Sequence, residues 1–103
     1  MNINEVIKSG KFYTYAHIRN DTNKVFYVGK GKGKRVLHKN NRTAWWHNIV
    51  NKNGYRIEIL AIHFDEEFAL DAEKFFIKSF REQGCELVNL SDGGEGASGY
   101  KYT

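Results

Sequence analysis

A chain of 103 residues with 41% hydrophobic and 15% aromatic content suits one domain, residues 1–103, with a modest core and no space for a second. Its apolar runs fall short of the roughly 20 residues that cross a membrane, and its polar start MNINEVIKSG does not resemble a secretory signal; the single cysteine, Cys85, excludes an internal disulfide and a multi-cysteine zinc site, so a small buried residue in a cytoplasmic, reducing setting is expected. The net charge of +4 is unevenly spread: residues 30–42 carry Lys30, Lys32, Lys34, Arg35, Lys39 and Arg42 without an acid, whereas 65–73 carry Asp65, Glu66, Glu67, Asp71 and Glu73, which suits either a polyanion held on one side or a solvated basic face.

The first predicted element is a strand over 12–18. In FYTYAHI, Phe12, Thr14, Ala16 and Ile18 alternate with Tyr13, Tyr15 and His17, the period of a half-buried strand with one greasy face and one of rings with polar tips. NDTNK at 20–24 is turn chemistry and VFYVG at 25–29 reads as a second strand, giving an antiparallel hairpin. Gly29, Gly31 and Gly33 then end that strand before a short helix near Lys34. A second helix spans Arg42 to Asn53, with Thr43 as N-cap, Trp46, Ile49 and Val50 at helical spacing, and Asn53-Gly54 as its stop. Trp45-Trp46 offers rings for base stacking, but a tryptophan on an apolar stripe is more commonly core. YRIEILAIHF at 55–64 alternates at first and becomes wholly apolar, as a central strand does. Asp65 caps the longest helix, which runs to about Gln83 with Gly84 stopping it. ELVNL forms a last short strand, and a glycine-rich tail, about 91–103, follows. The predicted fold is α+β, a small, mainly antiparallel three-stranded sheet flanked by helices.

Some residues do not fit a purely structural account. On the long helix, Ala69, Ala72, Phe76 and Phe80 define the face toward the sheet, and Glu73 lies on that face. A carboxylate there loses water at a cost of several kcal/mol unless compensated. Either it pairs with a lysine or arginine, or snorkels off the stripe, or it carries a divalent cation whose other ligands are water and substrate oxygens. Tyr13, Tyr15 and Tyr27 cluster where the hairpin meets the glycine run; they are sheet aromatics, or one of them is a general base for water attacking phosphorus. Lys30 and Arg35 supply the charge that phosphoryl transfer needs on its nonbridging oxygens. The glycine run is neither a Walker loop, whose spacing it misses by one residue and whose hydroxyl it replaces with Arg35, nor a dinucleotide fingerprint.

Taken together, YVGKGKGKR, the helical Glu73 and LVNLSDGG resemble, in order and over nearly the whole chain, the GIY-YIG nucleases, in the branch of LEM-domain nucleases and small phage or bacterial relatives. Tyr27-Val28-Gly29 matches the second motif, and Tyr13-Thr14-Tyr15 is a degenerate first motif. The resemblance implies a hydrolase that cuts DNA phosphodiesters by in-line attack with magnesium or manganese. It assigns Tyr15 as general base, with Tyr13 the other candidate; Tyr27 as a residue that orders water or supports the phosphate; Lys30 as a tuning or phosphate-binding lysine; and Arg35 as the transition-state arginine. It makes Glu73 the sole carboxylate metal ligand, Asn89 a polar support, and His38 a site histidine. Lys30, Lys32, Lys34, Arg35, Lys39 and Arg42 then grip the DNA backbone. Without a separate reading domain, specificity is low or follows DNA structure. A binding module of this fold without turnover and a ribonuclease are the alternatives, and a monomer and a homodimer are equally compatible.

Overall fold

The computed structural model describes residues 2–39 and 42–89. Along the chain run α1 (Ile3–Ser9), β1 (Phe12–Arg19), β2 (Val25–Lys32), a 3-10 helix (Gly33–Leu37), α2 (Ala44–Asn53), β3 (Tyr55–His63) and α3 (Glu66–Glu82). The strands form one antiparallel sheet in the order β2-β1-β3, an α+β arrangement with helices against the sheet. Among the described residues no helix is long and apolar enough to cross a membrane.

β1 is the central strand, so Tyr13 through Ile18 are buried on both faces, where the alternation predicted one wet face. On the face of Tyr13 and Tyr15, Val6 of α1, Val36 of the 3-10 helix and Ile59 of β3 close the core. A second cluster joins Val28 to Ile77 of α3 and Leu87; a third joins Phe26, Trp46, Ile49 and Val88 under α2. β3, read as central, lies at the edge with Ile62 exposed. Its apolar run reflects contact with α1, α3 and β1, not strands on both sides.

The caps follow the sequence. Thr43 accepts from the Trp46 amide at 3.0 Å and Asp65 from the Phe68 amide at 3.0 Å, each satisfying an amide that the first helical turn leaves unpaired. Helix α1 is not foreseen, because seven residues are below the length at which local propensity alone makes a helix. Its Asn2 cap, bonded to Asn4 N at 2.8 Å, and buried Val6 fix it. On α3 the buried positions are Ala69, Glu73 and Ile77, while Ala72, Phe76 and Phe80 are half-buried. Cys85, expected in the core, is half-buried at the edge of the α3 cluster.

Two further expectations change. Gly29 and Gly31 do not end β2, which continues to Lys32; the turn comes at Gly33, with φ +61°. Residues 86–89 of ELVNL are not a strand, although the Val88 amide donates to the Phe26 carbonyl at 2.7 Å. The expected tail over 91–103 lies outside the described residues.

Candidate active site

The register of the hairpin sets the site. Tyr15 stands opposite Gly29, and His17 opposite Tyr27, so Tyr15 and Tyr27 are diagonal neighbours with ring centroids 6.2 Å apart. A Cβ built on Gly29 falls 2.6 Å from the Tyr15 hydroxyl oxygen and 2.7 Å from Cζ. Gly29 is thus a glycine because the phenol of Tyr15 occupies the space of its side chain. Gly31 plays the same part for Arg35, whose Cβ and Cγ would lie 2.9 Å from an added methyl.

Arg42 reaches into this arrangement from the segment before α2. Its Nη2 donates to the Tyr15 hydroxyl at 3.2 Å and to the His38 carbonyl at 3.1 Å. The guanidinium lies 4.6 Å from the Tyr27 ring centroid and 5.6 Å from that of Trp46, a cation held by two aromatic faces and a phenol. Burial works against its charge, yet Tyr27 and Tyr15 outweigh that effect and hold Arg42 more basic than a free arginine. Its Nε is buried without a hydrogen-bond partner among the described residues.

Behind the tyrosines lies an aromatic wall. His17, fully buried, accepts from Trp46 Nε1 at 3.0 Å through Nδ1, so its ring proton is on Nε2. Its centroid is 5.1 Å from that of Tyr27 and 4.9 Å from that of Tyr55. Burial, helped by the charge of Arg42, lowers His17 to about 3, so the imidazole is neutral at ordinary pH. Burial raises Tyr27 far above the usual phenol range, and the neighbouring Tyr15 and the Glu73 carboxylate push the same way. Tyr27 is therefore a neutral hydrogen-bond donor. Glu73, 7% exposed on α3, stands close enough for its charge to be felt there.

Tyr15, Tyr27, Glu73 and Arg42 thus gather, and the other expected residues occupy different positions. Tyr13 spends its hydroxyl on the backbone, donating to the Gly33 carbonyl at 2.6 Å and accepting from the Val36 amide at 3.0 Å; it ties the 3-10 helix to the sheet. Burial raises it above a free tyrosine. Lys30 is paired with Glu66 of α3 at 2.9 Å. Asn89 uses both ends of its amide on Val28, receiving from its N–H at 3.1 Å and donating to its carbonyl at 2.7 Å. Arg35, His38, Lys34 and Lys39 are exposed around the 3-10 helix, and Lys32 lies 5.0 Å from the Phe12 ring centroid. Arg42, expected among the phosphate-gripping cations of the surface, is instead half-buried under the tyrosines. His17 and Tyr55 were not singled out from the sequence, though the alternation already put His17 beside Tyr15.

Among the described residues no group of three or more His, Cys, Asp or Glu side chains converges on an ion position. A centre built on one carboxylate is not of that kind. The chain matches no protein-family model, no curated protein and no solved structure.

Proposed function

We propose that the chain is a divalent-metal-dependent DNA endonuclease of the GIY-YIG kind. The observation that carries this reading is Glu73: a carboxylate buried on the sheet-facing side of α3 and close enough to Tyr27 for its charge to be felt there, with Tyr27 in turn packed against Tyr15 and Arg42. A module that only binds nucleic acid has no use for a buried acid next to its cationic surface.

In this reading Tyr15 is the base. Tyr13 has its hydroxyl committed to two backbone groups, and Tyr27 is held neutral. With its own proton given up to solvent, the Tyr15 oxygen takes a proton from the attacking water as the water oxygen bonds to phosphorus. The bond from phosphorus to the leaving sugar oxygen breaks, and that oxygen takes a proton from solvent. Arg42 fixes the phenol oxygen and places positive charge where negative charge develops. Arg35, exposed over Gly31, meets the nonbridging oxygens from the solvent side, where its planar fork suits phosphate. Lys32, Lys34 and Lys39, all exposed, hold the backbone of the DNA by charge.

Glu73 fits magnesium or manganese: a carboxylate is a hard oxygen donor, the donor type that holds such an ion together with water and phosphate oxygens. When bound, the ion polarises the scissile phosphate and offsets its charge. Neutral Tyr27 then donates to a phosphate oxygen or to the attacking water.

The test is nicking of supercoiled plasmid with magnesium, with and without EDTA. Glu73→Ala should remove cleavage and leave DNA retention in a gel-shift assay nearly unchanged. Equal cutting by that variant refutes the reading; binding without any cutting by the wild type leaves the adhesive module, and cutting of a labelled transcript in place of plasmid makes the chain a ribonuclease.

A further inference from the structure

The outer side of α3 is strongly apolar for a surface helix. Phe68 is 60% exposed and Phe75 64%, and Phe64, just before the cap Asp65, is 98% exposed. Phe68 and Phe75 are seven residues apart, two turns or about 10 Å along the axis, on one stripe. That stripe lies opposite the buried positions Ala69, Glu73 and Ile77. A hydrophobic residue in the place of Phe64 commonly folds back on the fourth helical residue, here Ala69. Ala69 is fully buried and Phe64 fully in solvent, so that contact is not made.

The charges beside this stripe run in two blocks until its last turn. Glu67 and Asp71 lie in its first half and Lys74 and Lys78 in its second, and Glu82, seven residues beyond Phe75, returns an acid at the end, all exposed. A partner of a single sign, nucleic acid included, meets repulsion along one half. A second α3 running antiparallel does not. A two-fold axis near Asp71 and Ala72 sets Phe68 of each copy against Phe75 of the other and brings each acidic half to a basic half.

We propose that this face of α3 is a two-fold interface for a second copy of the chain. The contact rests on a 17-residue helix about 25 Å long, so it falls at the small end of specific interfaces, below roughly 1,200 Å² in total, and exchanges readily. The inference is independent of the nuclease reading.

Sedimentation velocity of the full chain from about 1 µM to about 1 mM tests it. The expected mass rises with concentration from 12.0 kDa toward twice that value. Phe75→Lys weakens association by at least about tenfold, with the far-ultraviolet circular dichroism unchanged because the residue is exposed. Two charge variants separate the proposal from a folding defect. Glu67→Lys with Asp71→Lys, and Lys74→Glu with Lys78→Glu, should each stay monomeric alone and associate when mixed. A wild type that stays at 12.0 kDa throughout overturns the proposal, as does a dimer indifferent to Phe75→Lys, or a mixture of the charge variants that fails to associate.

Discussion

Tyr13 and Tyr15 sit two residues apart on one strand, point to one side of the sheet and are equally buried, at 0% and 1% exposed. Their hydroxyls differ in what satisfies them. At the Tyr13 end the partners are two backbone groups of the 3-10 helix, fixed by the fold itself. At the Tyr15 end the partner is a side-chain cation, backed by aromatic rings and a neutral histidine. A buried phenol tied to backbone is architecture, since nothing there can exchange partners. One held by a side chain keeps a partner that can move, the freedom that the proposed proton transfer needs.

The comparison breaks most sharply in a pair of variants. Tyr15→Phe should lower cleavage by about 10²–10⁴-fold, the usual worth of a positioned base, with a smaller loss of stability than Tyr13→Phe because Arg42 Nη2 keeps the His38 carbonyl; Tyr13→Phe should reverse that pattern. Denying partners to the Val36 amide and the Gly33 carbonyl costs about 2–4 kcal/mol, read as a lower urea midpoint, with cleavage per folded molecule near wild type. If both variants lose activity alike at equal stability, the division of labour is wrong.

A smaller effect probes the wall behind Tyr15. His17 is held neutral, with its folded value lowered to about 3 against an ordinary 6.5. The unfolded chain therefore takes up a proton that the folded one refuses. Stability is fully present above about pH 6.5 and falls as pH drops from there toward 3, by about 1.4 kcal/mol per unit. His63, lowered by burial beside Thr14, adds in the same direction. Urea unfolding at pH 7.5, 5.5 and 4.5 should show the slope, and His17→Phe should flatten it. An unchanged slope in that variant would mean that the imidazole is not dry.

The smallest expected change lies on the exposed side. Lys34→Ala should leave stability within about 0.5 kcal/mol and reduce the dependence of log binding constant on log salt by about 0.9, one phosphate contact. Fluorescence anisotropy with a labelled duplex across a salt series measures it. A slope that does not move takes Lys34 out of the DNA contact.

Much of the fold was legible because local chemistry and final position agree. Asp65 and Thr43 are strong caps in front of periodic segments, and both cap helices. Glu73 stood out as an acid in an apolar stripe and is buried. What the sequence could not display depends on contacts distant along the chain. Alternation in β1 looks half-wet because tyrosine and histidine have polar tips, but the tyrosine hydroxyls meet Val36 and Arg42 and the His17 Nδ1 meets Trp46, while its buried Nε2 has no hydrogen-bond partner among the described residues. The glycines of β2 looked like breakers, yet Gly29 makes room for a ring on the neighbouring strand. Arg42 was indistinguishable from its solvated neighbours, because its role is set by rings contributed from β2 and α2.

The amide of Asn89 joins positions 61 residues apart in sequence, and with Val88 it covers the Val28 and Phe26 backbone groups on the outer side of β2, at the open margin of the sheet. During synthesis at about 5–20 residues per second, that margin is made several seconds before the segment that shields it. Through that interval a nascent chain can recruit a stray strand from its neighbour, as uncovered sheet margins do. The hazard ends only when the last turn of α3 and the residues after it have been translated.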